Sequence, residues 1–130
     1  MSTAHWAAAY IGAPWIAGTH DCWGFFRRVQ RERFGREIPP FDVDAFNRLA
    51  CARAVRDNPE RLNWQPVAGA PEEGDAVLLA HARHPSHVGI WIGADGGGVL
   101  HCVEGDGVVF QTKKSLAACG WGRLEFYRHA

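Results

Sequence analysis

The run GTHDCWGFF places Cys22 where a loop turns into a helix. The first N–H groups of a helix lack intrahelical acceptors and carry the positive end of its macrodipole, so an anion is favoured there. A thiolate is such an anion, and it is the nucleophilic form of cysteine. Thr19 is the expected N-cap, which sets Cys22 in the first turn. Asp21 works against ionisation unless backbone N–H groups or a substrate amine occupy its carboxylate. Gly24 costs about 1 kcal/mol relative to Ala inside a helix, which implies that another backbone passes close to this turn. A sheet carrying a base would do so. The opposing reading makes Cys22 a small buried hydrophobe, the role expected for Cys51 and Cys119.

A cysteine nucleophile needs a group that takes and returns a proton near neutral pH, and histidine is suited to it. Among seven histidines, His87 has the most informative setting, at the start of HVGIWIG. Val88, Ile90 and Ile92 point one way into a core, while His87, Gly89 and Trp91 point the other. Gly89 leaves room for a helix tip beside His87. His101, in GVLHCVEG, is placed to orient the His87 ring, with Cys102 on the opposite face. Register decides this pairing. A two-residue turn at Asp95 and Gly96 sets His101 opposite Ile90, on the wrong face, whereas pairing with His87 needs a turn centred on Ala94. The glycines at 96, 97 and 98 could supply a bulge.

His81, His84 and His87 have an HxxHxxH spacing, but Pro85 and the absence of a helical pattern keep them off one helix face. No metal site and no cofactor are expected. His20 is expected to line the cleft beside Cys22, and the arginines at 27, 28, 31 and 33 to form a solvated helix face. Of the six tryptophans, most are expected in the core, with one or two lining a groove for sugar or peptide.

The elements that must position these residues change character halfway along the chain. Ser2 or Thr3 can cap a short helix bearing Trp6, Ala9 and Tyr10, stopped at Gly12 and Pro14. A second helix runs from near Thr19–Asp21 to Phe34, with Gly35 as its terminator and Cys22, Phe26 and Val29 on its buried stripe. A third spans about 42–57, with Phe46, Leu49 and Ala50 clustered. Strands are expected near 75–80, 87–93, 99–104, 108–112 and 124–129, with short connections that favour antiparallel neighbours. The fold class is therefore α+β, with N-terminal helices packed on a small curved antiparallel sheet.

One domain accounts for 130 residues, and a real core is possible at this size. Fourteen basic residues balance fourteen acidic ones, so no field gathers nucleic acid or anionic membrane. The stretch from Trp6 to Gly18 has no basic flank and is too short to span a bilayer, which implies a protein made in the cytoplasm without a signal peptide or membrane insertion. Four dispersed cysteines without a CxxC pair are expected to be reduced.

At these residues the chain resembles the NlpC/P60 cysteine peptidases, papain-like enzymes that cut peptidoglycan stem peptides. IGAPW, Gly18 and HDCWGFF are similar to the family's approach to its nucleophile helix. PEEGDAVLL resembles its first core strand, HVGIWIG its histidine strand and GVLHCVEGDGVV the strand with the third polar residue. The resemblance implies Cys22 as nucleophile, His87 as base and His101 as orienting residue, with Trp15, Asp21, Trp23 and Trp91 toward the substrate. The family usually has Tyr at the position of Trp15 and Ser at that of Trp23, which implies a reshaped pocket and a missing hydroxyl; the indole N–H of Trp15 could replace it. DCW, the following FG with EIP, and GVVFQTKKSLAACGWG look most like the bacteriophage-tail branch. From this kinship follow the γ-D-glutamyl to diaminopimelyl bond as target and tail proteins as partners. The other readings are a structural tail-assembly protein of the same fold, a related amidase acting on another amide, and a zinc hydrolase.

Overall fold

Capping explains where the first long helix begins. In the computed structural model, which describes residues 5–130, Asp21 is the N-cap of α1 (Cys22–Phe34), its Oδ1 accepting the Gly24 N–H at 2.9 Å. Asp21 thus holds the place expected for Thr19, and Cys22 is the first helical residue. The helix ends at Gly35, which adopts φ 66°, as anticipated; the Gly35 N–H bonds Arg31 O and the Arg36 N–H bonds Gln30 O. Phe25, Phe26 and Val29 are its buried apolar residues.

The chain before α1 forms a 3-10 turn, Trp6–Tyr10, capped by the His5 ring, whose Nδ1 accepts the Ala7 N–H at 3.0 Å. Ser2 and Thr3, the expected caps, lie outside the described residues. The next helix, α2 (Arg48–Asp57), is shorter than the 42–57 span because Asp44 closes a side-chain turn onto the Phe46 N–H at 3.0 Å and Asn47 caps the Ala50 N–H. No residue of α2 is fully buried. Phe46 and Leu49, two of the residues expected to cluster on this helix, are 66% and 61% exposed.

Six strands follow: β1 (Trp64–Pro66), β2 (Ala76–Ala80), β3 (His87–Ile92), β4 (Gly98–Val103), β5 (Gly107–Gln111) and β6 (Arg123–His129). They form one antiparallel sheet in the order β1-β6-β2-β3-β4-β5. Five match the expected strands to within two residues; β1 is too short to announce itself. A third helix, α3 (Lys113–Ala118), follows β5 and is capped by Thr112 on the Ser115 N–H. It was not anticipated.

The alternation along β3 and β4 divides the core. Val88, Ile90, Ile92, Leu100 and Cys102 pack with α1, whereas Trp91 and Val99 pack on the other face with Val77, Leu79 and Leu116 of α3. His87 and His101 share parity with Trp91 and Val99, so their rings belong to the face away from α1.

The register is neither of the two weighed from the sequence. Ile90 pairs with Leu100 and Trp91 with Val99, which sets His101 across from Gly89, diagonal to His87 on the same face. The connection that achieves this contains a 3-10 turn, Ala94–Gly96, with Asp95 at φ 54°. A Cβ on Gly89 would lie 2.5 Å from Val99 Cγ1 and 3.0 Å from His101 Cβ. The space beside Gly89 is therefore filled by β4, not by the helix tip that the sequence reading placed there.

Candidate active site

Cys22 and His87 line one cavity of about 390 Å³, the first from the tip of α1 and the second from the start of β3. Segment 40–64, including α2, supplies much of the opposite wall through Phe41, Phe46, Cys51 and Arg61. Trp15, Asp21 and Trp23, expected to face substrate, line this cavity as well. Trp15 packs edge-on against Phe46 at 5.3 Å, and Trp23 lies over Phe26 and Phe41 while donating its indole N–H to Pro39 O at 3.1 Å. Trp91 does not line it. That ring is buried on the α3 side against Phe126, under the Lys113 ammonium; residue 91 shares the face of His87, but four residues further along β3 that face is covered by Leu79, Val99 and Leu116.

The thiol of Cys22 is not the resting anion that the helix-tip argument implied. Removal from water raises its pKa from 9.0 to about 12, and the charges of Asp21 and Cys51 push the same way, against N–H contacts from Val88 and Trp23 that favour the anion. Desolvation outweighs the helix terminus, and the difference corresponds to roughly 4 kcal/mol against ionisation. Asp21 has both oxygens engaged, Oδ1 by the Gly24 N–H and Oδ2 by the Gly18 N–H at 3.1 Å. Gly24 does meet a close backbone, but it is the Thr19 carbonyl of the preceding loop, 2.5 Å from a Cβ placed there, and not the sheet.

The imidazoles are joined in a relay. His87 Nε2 and His101 Nδ1 are 2.8 Å apart, and His101 Nε2 lies 2.8 Å from Gln111 Oε1. Both histidines are buried, and burial is the main cause that holds the His87 pKa well below 6.5 and that of His101 at about 4. Both rings are therefore neutral near pH 7. Among the described side-chain hydrogen bonds, none joins Cys22 to His87; both residues line the same cavity.

Two residues here escaped the sequence reading. Gln111 ends β5, where alternation from Val109, the register partner of His101, sets it on the same face; that parity was the available signal. Trp121 stacks on two imidazoles, His87 at 4.9 Å and His81 at 3.7 Å between ring centroids. Its neighbourhood depends on the return from α3, which local pattern does not encode.

The remaining histidines and cysteines fall outside this relay. His81 Nδ1 bonds Gly120 O at 2.9 Å, His84 is exposed, and no group of three or more His, Cys, Asp or Glu among the described residues is gathered as a metal set. His20, expected beside Cys22 in the cleft, instead donates from Nδ1 to Pro14 O at 2.7 Å and receives Arg28 at Nε2. Cys102 is on the face opposite His101, as expected, yet it still lines the α1 side of the cavity, with its sulfur 3.4 Å from His20 O. All four cysteines are free.

The NlpC/P60 family model matches residues 10–117, and the chain belongs to that family. Its fold is similar to that of the NlpC/p60 domain of the peptidoglycan hydrolase SagA, with a TM-score of 0.59 at 24% identity, over 95% of this chain and 92% of that one. Comparison with curated proteins gives no match. Among the described residues no helix is long and apolar enough to cross a membrane.

Proposed function

We propose that this chain is a cell-wall peptidase in which Cys22 attacks an amide carbonyl of a peptidoglycan stem peptide. The observation that supports it most is the shared cavity, which joins a cysteine at a helix tip to a buried imidazole held by a second imidazole. With thiol and ring both neutral at rest, the proton passes from sulfur to His87 as the S–C bond forms. The Cys22 N–H, which has no carbonyl four residues back within the helix, donates to the developing oxyanion. The His87 imidazolium then protonates the leaving amine, the C–N bond breaks, and a thioester remains on Cys22. Water, deprotonated by His87, hydrolyses it and restores the thiol.

His101 orients the base, and Trp15 and Trp23 shape the acyl pocket. Asp21 acts mainly on the loop and helix start, since both its oxygens already accept N–H groups. The bond assigned is γ-D-glutamyl to diaminopimelate, and the setting a phage or prophage tail acting on the wall. The bond rests on kinship with the family, and the tail setting on the likeness of DCW, the following FG with EIP, and the 107–122 segment to the bacteriophage-tail branch. Incubating the protein and its Cys22→Ala variant with defined muropeptides, followed by mass spectrometry, tests the proposal. Fragments that end at D-glutamate are expected with the parent protein alone. Equal behaviour of both proteins overturns the enzymatic reading, and fragments from another amide overturn the assigned bond.

A further inference from the structure

We infer that Gln111 is a positioning residue that selects the tautomer of both imidazoles and so decides which nitrogen of His87 is basic. The inference rests on the reading of Cys22 and His87 as nucleophile and base. Its physical core is a chain of donors and acceptors. A neutral imidazole has one N–H and one lone pair, and an amide oxygen can only accept. Gln111 Oε1 lies 2.8 Å from His101 Nε2, so that nitrogen carries the proton. His101 Nδ1 is then a lone pair, and His87 Nε2, 2.8 Å away, must donate to it. The lone pair of His87 is left on Nδ1.

The other end of the amide has its own partners outside the pair of histidines, a hydroxyl and a thiol that here take the accepting role. Gln111 Nε2 donates to Ser115 Oγ at 3.1 Å and to Cys119 Sγ at 3.4 Å, which leaves the carbonyl oxygen for His101. Ser115 and Cys119 are placed by α3 and its C-terminal turn, whose N-cap, Thr112, directly follows Gln111. A reversed amide would present N–H to His101 Nε2 and invert every assignment in the chain, placing the proton of His87 on Nδ1. The base nitrogen would then be the one already spent on His101. The short helix after β5 thus acts on proton transfer at Cys22 through three successive hydrogen bonds.

Long-range ¹H–¹⁵N spectra of the histidines at pH 7.5 test this without reference to turnover. In the parent protein both His87 and His101 are expected as Nε2–H tautomers. Gln111→Met, similar in length but without an acceptor, is expected to mix or invert them and to lower kcat about tenfold with little change in KM. Gln111→Glu keeps an acceptor in place, so it is expected to restore the Nε2–H tautomers and most of kcat, and to move the acid limb of the pH–rate profile upward. An Nδ1–H tautomer on either ring of the parent protein overturns the inference. So does a Met variant whose tautomers and kcat equal those of the parent. If muropeptides are not cleaved at all, the functional reading fails while the spectra still judge the role of Gln111.

Discussion

Replacement of Gly89 by Ala tests whether the close approach of β3 and β4 is what joins the two imidazoles. The added methyl would sit 2.5 Å from Val99 Cγ1, 3.0 Å from His101 Cβ and 3.1 Å from Leu100 O. Carbon contacts settle near 3.5–4.0 Å, so Val99 Cγ1 must retreat by about 1 Å and the β4 backbone at His101 by about 0.5 Å. Two of the three neighbours are backbone or Cβ atoms, which cannot rotate away. Overpacking of this kind costs about 1–3 kcal/mol. For a domain of this size that lowers Tm by roughly 3–12 °C. The same shift lengthens and weakens the 2.8 Å His87–His101 bond, and losing up to about 1 kcal/mol in orienting the base lowers kcat up to several-fold. Gly93→Ala is the matched control, since nothing lies within 4 Å of its Cβ and its φ is −81°. Calorimetry and muropeptide turnover on both variants give the comparison. A Gly89→Ala protein that melts within a degree of the parent and turns over normally would refute this reasoning.

Asp21→Ala removes the acceptor of two loop and helix N–H groups and should cost about 1 kcal/mol of stability by urea unfolding. Asp21→Asn, which keeps an acceptor but removes the charge, should lower the Cys22 pKa and speed alkylation at pH 8–9; slower alkylation would contradict the assigned sign. Trp121→Ala should open His87 to water and raise its pKa toward 6.5, seen by NMR titration, while Trp121→Phe keeps most of the stacking; an unmoved titration in the Ala variant would refute the shielding role. Stability should be greatest between about pH 7 and 9. His101 titrates near 4 in the fold against 6.5 when unfolded, so the unfolded chain binds more protons between those values and stability falls on acidification, by at most about 1.4 kcal/mol per pH unit for this group. Cys22 and Cys102, raised to about 12 and about 11, stay protonated in the fold where unfolded thiols ionise, so stability also falls above pH 9. Urea midpoints that rise toward pH 5 would contradict this.

The sheet and α1 were legible because their signals are local. Asp21 and Gly35 bracket α1, and the alternation of HVGIWIG separates its two faces whatever the partner strand. His87 and His101 could be chosen by parity, but their diagonal relation depends on a turn with Asp95 in the left-handed region, which composition does not dictate. The state of the thiol was misread for a related reason. Helix termini are visible in sequence, whereas desolvation comes from burial among cavity walls that only tertiary packing brings to Cys22. Gln111 shares the face of His101 by strand parity, but its pairing needs the β4–β5 register, and Trp121 reaches His87 only after the return from α3, a six-residue helix whose Thr112 cap was its local sign. Trp91 was misplaced because its parity set it on the face of His87, and a second buried cluster with Val77, Leu79, Val99 and Leu116 covers that face further along the strand.

The central claim is a covalent bond between substrate and Cys22, and rapid acid quench followed by intact-protein mass spectrometry measures it most directly. After mixing with a defined muropeptide, the protein should carry the mass of the released acyl fragment on the peptide containing Cys22, rising before free product and absent from Cys22→Ala. Product formed with no adduct at Cys22, or at the same rate by Cys22→Ala, would contradict the account.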